Sequence, residues 1–238
     1  MMDTPLTLDF FFRRAESLFP HKELITATAT GIERSNYGQW ADRTRRLGGA
    51  LNDLGIKESG RVGTFAWNTA RHLELFFAFP CSNRVLHTLN IRLFADQIVY
   101  IANHAEDEVI FVDRSLMALL WPLVDQLETV RHFVVMDDGD GEIPDDPRVI
   151  DYEELIAAAP AVDFEVRDEK QAASMCYTSG TTGNPKGVVY SHRSTYMHTI
   201  TTMTTDGLGV CESDAVSYTH LRAHETREDR VCRLLLEK

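Results

Sequence analysis

The chain has 238 residues, which at roughly 100 to 200 residues per domain allows one large domain or two small ones. Lys and Arg number 24 against 36 Asp and Glu, and the resulting net charge of −12 repels nucleic-acid phosphates, so DNA and RNA are poor partners. Hydrophobic residues at 44% and charged residues at 25% are ordinary globular usage, which excludes a wholly disordered, collagenous or membrane-embedded chain.

The first predicted element is a helix over residues 7–19, with Leu8, Phe11, Phe12, Ala15, Leu18 and Phe19 on one face and Pro20 as its stop. An acid precedes its apolar stretch and two arginines follow, the reverse of a secretory signal. The most apolar run, residues 73–80, is far short of the roughly 20 residues that span a bilayer. Short β-branched runs at 24–28 and 32–36 around Thr30 and Gly31 predict a hairpin. Asn36 and Gln39 then have the spacing of a capping box, opening a helix with Trp40, Leu47, Leu51 and Leu54 on its apolar face and Gly55 as its stop. From there strands (61–66, 85–89, 108–112, 132–136) alternate with helices (69–81, 94–104, 115–127). This alternation predicts right-handed βαβ crossovers and an α/β layered domain, a mostly parallel sheet with helices on both faces.

Residues 137–147 interrupt the rhythm. Asp137, Asp138, Asp140 and Glu142 crowd there, but their spacing is not that of a calcium loop, and the Asp, Gly and Pro content predicts a solvated turn. A short helix over 151–159 and a polar stretch to Lys170 follow. The cysteines, Cys81, Cys176, Cys211 and Cys232, are widely spread with no C-x-x-C pair, which fits a reducing, cytoplasmic setting.

Chemistry concentrates after Met175, Cys176 and Tyr177, which read as the end of a buried strand. Thr178, Ser179, Gly180, Thr181, Thr182 and Gly183 are hydroxyl residues and glycine only, a composition that lets backbone amides and hydroxyls close around phosphate oxygens. Pro185 directs the chain and Lys186 supplies a cation. The Walker pattern G-x-x-x-x-G-K-[ST] is not met, because Asn184 and Pro185 follow Gly183 and Gly187 follows Lys186. Residues 187–190 read as a strand and Ser191 as the N-cap of a helix toward Thr205, so the loop joins two strands.

The full string YTSGTTGNPKGV resembles the phosphate-binding signature of the adenylate-forming superfamily, which includes acyl-CoA synthetases, the adenylation domains of nonribosomal peptide synthetases and luciferases. Upstream, Trp67-Asn68-Thr69, His72-Leu73-Glu74, the run from Leu86 through Asn90 to Leu93, Asn103-His104-Ala105-Glu106-Asp107 and Val134-Val135-Met136 are similar to medium- and long-chain fatty acyl-CoA synthetases. At Ser82-Asn83-Arg84, where such enzymes carry small residues with glycine, the likeness weakens.

The resemblance implies an incomplete N-terminal domain of the adenylate-forming fold over residues 1–216. It also implies an AMP-forming ligase in which a fatty acid carboxylate attacks the α-phosphorus of ATP and the thiol of CoA then takes the acyl group. On it, Thr178 helps hold Mg²⁺, Ser179 to Gly183 surround the β- and γ-phosphates, and Lys186 is their mobile cation. No catalytic residue falls within the chain, since the adenylation lysine belongs to a C-terminal domain, as the adenine, ribose and hinge segments belong to later sequence. The polypeptide alone is therefore expected to be inactive. The alternatives are a non-catalytic nucleotide-binding fragment and a ligase for a short-chain or aromatic acid. The implied partners are fatty acid, ATP and CoA, with room for peripheral membrane contact and a homodimer.

His87, His104 and Asp107 are expected to pack and hydrogen-bond between crossovers, and Cys176 to act as a small apolar residue. Residues 217–238 form a polar tail unlike the buried strand that such enzymes continue with, and resemble non-native read-through. His220 and His224 with Cys211 and Cys232 match no common zinc spacing. A helix over 225–236 would turn Val231, Leu234 and Leu235 inward.

Overall fold

The computed structural model describes residues 3–178, 184–212 and 214, with the backbone of two short strands at Ser217–Tyr218 and Leu234–Leu235. Helix α1 (Asp9–Leu18) buries Phe12 completely and leaves Phe10 exposed. Strands β1 (Glu23–Thr28) and β2 (Gly31–Asn36) pair antiparallel, the turn being made at Gly31 with φ +141°. The capping box is present at the start of α2 (Tyr37–Asp53): Asn36 Oδ1 accepts the Gln39 N–H at 2.9 Å and Gln39 Oε1 accepts the Asn36 N–H at 3.1 Å.

The central sheet contains β3 (Arg61–Phe65), β4 (Val85–Thr88), β5 (Asp107–Asp113), β6 (His132–Met136), β7 (Val149–Asp151), β8 (Ala172–Thr178) and β9 (Lys186–Ser191) in the order β7-β6-β5-β3-β4-β8-β9. Every neighbouring pair is parallel except β8 with β9. Helix α3 (Ala70–Cys81) carries the chain from β3 to β4, and α4 (Ala95–Ala105) returns it to β5 on the far side of β3. One face of the sheet packs Ile98, Ile101 and Ala102 of α4 with Met117 and Leu120 of α5 (Met117–Leu120). On the other, Leu47 and Leu51 of α2, Leu75 and Phe79 of α3, and Tyr152 and Ile156 of α6 (Tyr152–Ala158) form a second core layer. The helix–sheet–helix layering expected from the alternation is thus present. After β9, Ser191 caps α7 (His192–Met203) by accepting the Ser194 N–H.

Two expectations are corrected and one strand is added. The helix expected over 115–127 is a 3₁₀ turn (Arg114–Leu116), the single turn α5, and a second 3₁₀ stretch (Trp121–Gln126). Pro122 lies at the start of that second stretch, and its ring and missing N–H stop α5 after one turn. Strand β7, three half-buried residues at the sheet edge, was not anticipated. The tail helix is not formed at its C-terminal end, because Leu234 and Leu235 form a strand, β11 (Leu234–Leu235), that pairs with β10 (Ser217–Tyr218) apart from the main sheet. His220, His224, Val231 and Cys232 lie outside the described residues.

The divergent turn at Ser82-Asn83-Arg84 follows α3. Asn83 adopts the left-handed conformation at φ +62°, which asparagine tolerates better than most residues, so it stands in for glycine. Arg84 folds its guanidinium under the turn and donates to the carbonyls of Ile56 and Ser82 and to Asn52 Oδ1. No described helix is long and apolar enough to cross a membrane.

Candidate functional site

Open parallel sheets present their ligand sites outside the carboxyl ends of their strands, near the point where strand order reverses. Here that reversal surrounds β3, with β4 on one side and β5 on the other. Strand β8 runs parallel to β4, so Thr178 emerges on the same rim as Trp67, Asn90 and Asp113. The chain then returns antiparallel as β9, and Thr178 and Lys186 are direct partners at the open end of the hairpin. Thr178 is half-buried and Lys186 is exposed. The structure therefore brings these two sequence-predicted residues together, while Ser179, Gly180, Thr181, Thr182 and Gly183 lie outside the described residues.

The stem of this hairpin rests on polar groups that alternation along β8 turns toward α4. Tyr177, one residue before Thr178, is 6% exposed and its hydroxyl lies 2.6 Å from His104 Nδ1 at the end of α4. Burial, with the nearby Asp107 carboxyl, pushes the phenol up to about 12, so it remains a neutral O–H at physiological pH. Beside it, His87 of β4 and Asp107 of β5 are wholly buried, with His87 Nδ1 2.9 and 2.8 Å from the two carboxyl oxygens. Desolvation raises the Asp107 carboxyl, and its histidine partner opposes that rise. The Tyr177 ring lies 5.3 Å from the His87 ring and 5.7 Å from the His104 ring, edge-on to the latter. The expectation that these histidines and Asp107 hydrogen-bond between crossovers agrees with this geometry. Cys176 is buried, paired across the hairpin with Val188.

Sequence reasoning missed a second polar group on the rim. Asp113, at the end of β5, is fully buried and accepts the Trp67 N–H at 2.5 Å. Burial, the largest cause, and the neighbouring Asp138 raise its carboxyl to about 7, against the opposing Trp67 amide and Arg71. Asp113 ends an apolar strand, and nothing in its local sequence marks the burial. The acidic loop that follows β6 is tied up locally. Asp137 accepts from Arg114 and from the Gly139 N–H, and Asp138 accepts both the Ser115 N–H and the Ser115 hydroxyl. Among the described residues no three His, Cys, Asp or Glu side chains converge to hold a metal ion.

A sequence profile described as AMP-binding enzyme matches residues 12–224. The chain belongs to the AMP-binding enzyme family. It is 42% identical over 220 residues to the 3-methylmercaptopropionyl-CoA ligase of Ruegeria lacuscaerulensis, covering 91% of this chain and 41% of that protein. It is 43% identical over 217 residues to the long-chain-fatty-acid–CoA ligase of Thermus thermophilus, covering 91% of this chain and 39% of that one. This AMP-binding chain therefore spans about two fifths of the length of these curated relatives. Among solved structures it superposes on an anthranilate CoA ligase in complex with anthranoyl-AMP with a TM-score of 0.70 at 23% identity, over 80% of this chain and 36% of the other, which shows the shared fold. The relatives named are both acyl-CoA ligases.

Proposed function

We propose that this chain supplies the phosphate-binding part of an AMP-forming ligase that activates a medium- or long-chain fatty acid, and that alone it binds phosphate without turnover. In that reaction a carboxylate oxygen bonds to the α-phosphorus of ATP and the α–β anhydride breaks, releasing pyrophosphate. The CoA thiolate then attacks the acyl carbon and AMP leaves. A carboxylate approaching a polyanion needs neutralised phosphates and fixed geometry more than it needs a nucleophile from the protein. The observation that carries the proposal is the Thr178–Lys186 pair at the carboxyl rim, at the two ends of a segment rich in hydroxyl residues and glycine. Magnesium retains waters and phosphate oxygens and takes few protein ligands, so Thr178 suits a metal carried in by the nucleotide, whose charge would offset that of the phosphates. It does not by itself make a resident metal site.

A shorter thioether acid is the second reading, supported by 42% and 40% identity to two 3-methylmercaptopropionyl-CoA ligases. The test has two arms. Titration of MgATP into this chain should give binding that Lys186→Ala weakens about tenfold to a hundredfold, the range for losing a charged hydrogen bond. Acid-dependent ATP–pyrophosphate exchange should be absent from this chain. In a polypeptide extended to the length of its relatives it should appear, greater with octanoate or palmitate than with 3-methylmercaptopropionate. Exchange by the 238-residue chain would refute the claim of inactivity, and the opposite acid preference would select the second reading.

A further inference from the structure

Among the described residues, the hairpin carrying Thr178 and Lys186 is attached to the rest of the sheet through β4, by the pairs Leu86 with Ser174 and His87 with Met175. Beyond Met175, no backbone pairing with β4 holds the last residues of β8. Their backbone pairs with β9, and side chains make the contact with the rest of the sheet. Tyr177 is paired with Gly187, the neighbour of Lys186, just as Tyr177 is the neighbour of Thr178. Its ring covers Gly187 so closely that a Cβ there would stand 3.2 Å from Cζ and 3.3 Å from the hydroxyl oxygen. The Tyr177 hydroxyl is tied to His104, whose ring stacks on Tyr100 within α4 at 5.4 Å. Under the Tyr177 ring lies His87, itself fixed by Asp107.

The His87–Asp107 pair spans an intervening strand. His87 is in register with Gly63 of β3, and Asp107 is on β5, across that strand. A Cβ on Gly63 would lie 3.2 Å from Asp107 Oδ2 and 3.0 Å from Ile110 Cγ1, so the missing side chain leaves the space in which β4 and β5 touch over β3. A chain of contacts therefore runs from β5 through β4 to the end of β8 and back to α4, hydrogen-bonded at Asp107–His87 and at Tyr177–His104 and made by ring contact between His87 and Tyr177.

We infer that Tyr177, His104, His87 and Asp107 are positioning residues that hold the Thr178–Lys186 end of the hairpin in place on the carboxyl rim for a polyphosphate ligand. The inference rests on the phosphate-binding reading of the hairpin. Both strand ends move with Tyr177, because its ring packs on Gly187 while its backbone leads into Thr178. Loss of the Tyr177–His104 bond frees the ring without removing any group that would touch the phosphate.

The test is titration of this chain with inorganic tripolyphosphate, with and without Mg²⁺, at a temperature where every variant is folded by circular dichroism. Tyr177→Phe keeps the ring and deletes only the hydroxyl, and His104→Gln keeps a polar group. Each should weaken binding by about threefold to tenfold, the range of one net hydrogen bond, and the double variant should lose little more than either alone. Wild-type His104 ring-nitrogen resonances should shift on saturation with tripolyphosphate, and this shift should vanish in Tyr177→Phe. Unchanged affinity and an unchanged histidine response in Tyr177→Phe, with only a lowered melting temperature, would show a purely structural bond and overturn the inference while leaving the phosphate site intact. Failure of the wild-type chain to bind tripolyphosphate would overturn both the phosphate reading and the inference built on it.

Discussion

Asp113 ends β5 with its carboxyl sealed from solvent, Oδ2 holding the Trp67 N–H and Oδ1 lacking a hydrogen-bond partner among the described residues. Its folded value of about 7 lies above the roughly 3.9 of an unfolded aspartate, so between those values the folded chain holds a proton that the unfolded chain has lost. This contribution to stability is complete below about pH 4 and is lost as pH rises toward 7. Asp113→Asn removes the titration. Its melting temperature relative to wild type should climb across that window and level off above it, as measured by thermal denaturation in a pH series. That Thr178 and Lys186 end two neighbouring strands was legible, because the Ser, Thr, Gly and Pro run between them reads as a loop flanked by strand-forming residues. Asp113 was not, because only the fold shows that a strand-terminal aspartate is buried. Asn83 was legible as a departure, and its left-handed backbone shows how the turn survives without glycine.

Helices α2, α3 and α6 share one side of the sheet and are joined by a partly buried ion cluster. Glu74 of α3, 3% exposed, accepts from Arg43 Nε of α2 at 2.6 Å and from the Tyr152 hydroxyl of α6, while Arg43 also grips Glu153 with both terminal nitrogens. Burial raises the Glu74 carboxyl and Arg43 and Tyr152 pull it back. Arg43→Ala leaves that carboxylate buried without its cation and should cost about 3 to 5 kcal/mol in urea unfolding. Glu74→Gln should cost less, since the amide keeps a Tyr152 acceptor without the charge. At this scale, period and capping located the main helices and strands, the Asn36–Gln39 box among them. They failed at residues 115–127, where an apolar pattern of helical spacing outweighed Pro122, and at β7, which is too short to show alternation.

Alternation of strands and helices made the layered architecture legible, but not which strands are neighbours. That β5 crosses back over β3, and that His87 and Asp107 therefore meet above Gly63, depends on tertiary pairing with no local trace. The same order leaves β8 joined to β4 over two residue pairs, whereas β3 follows β5 along Arg61 to Phe65. Amides of β8 on its β4 side should exchange with deuterium faster than those of β3 and β5, measured residue by residue by NMR. Protection equal to that of β3 would show that the side-chain contacts of Tyr177 close the seam fully. Strands β3 to β6 pair after short excursions of chain, but Leu86 waits for Ser174. Closing that seam therefore costs more loop entropy than pairing any two of β3 to β6.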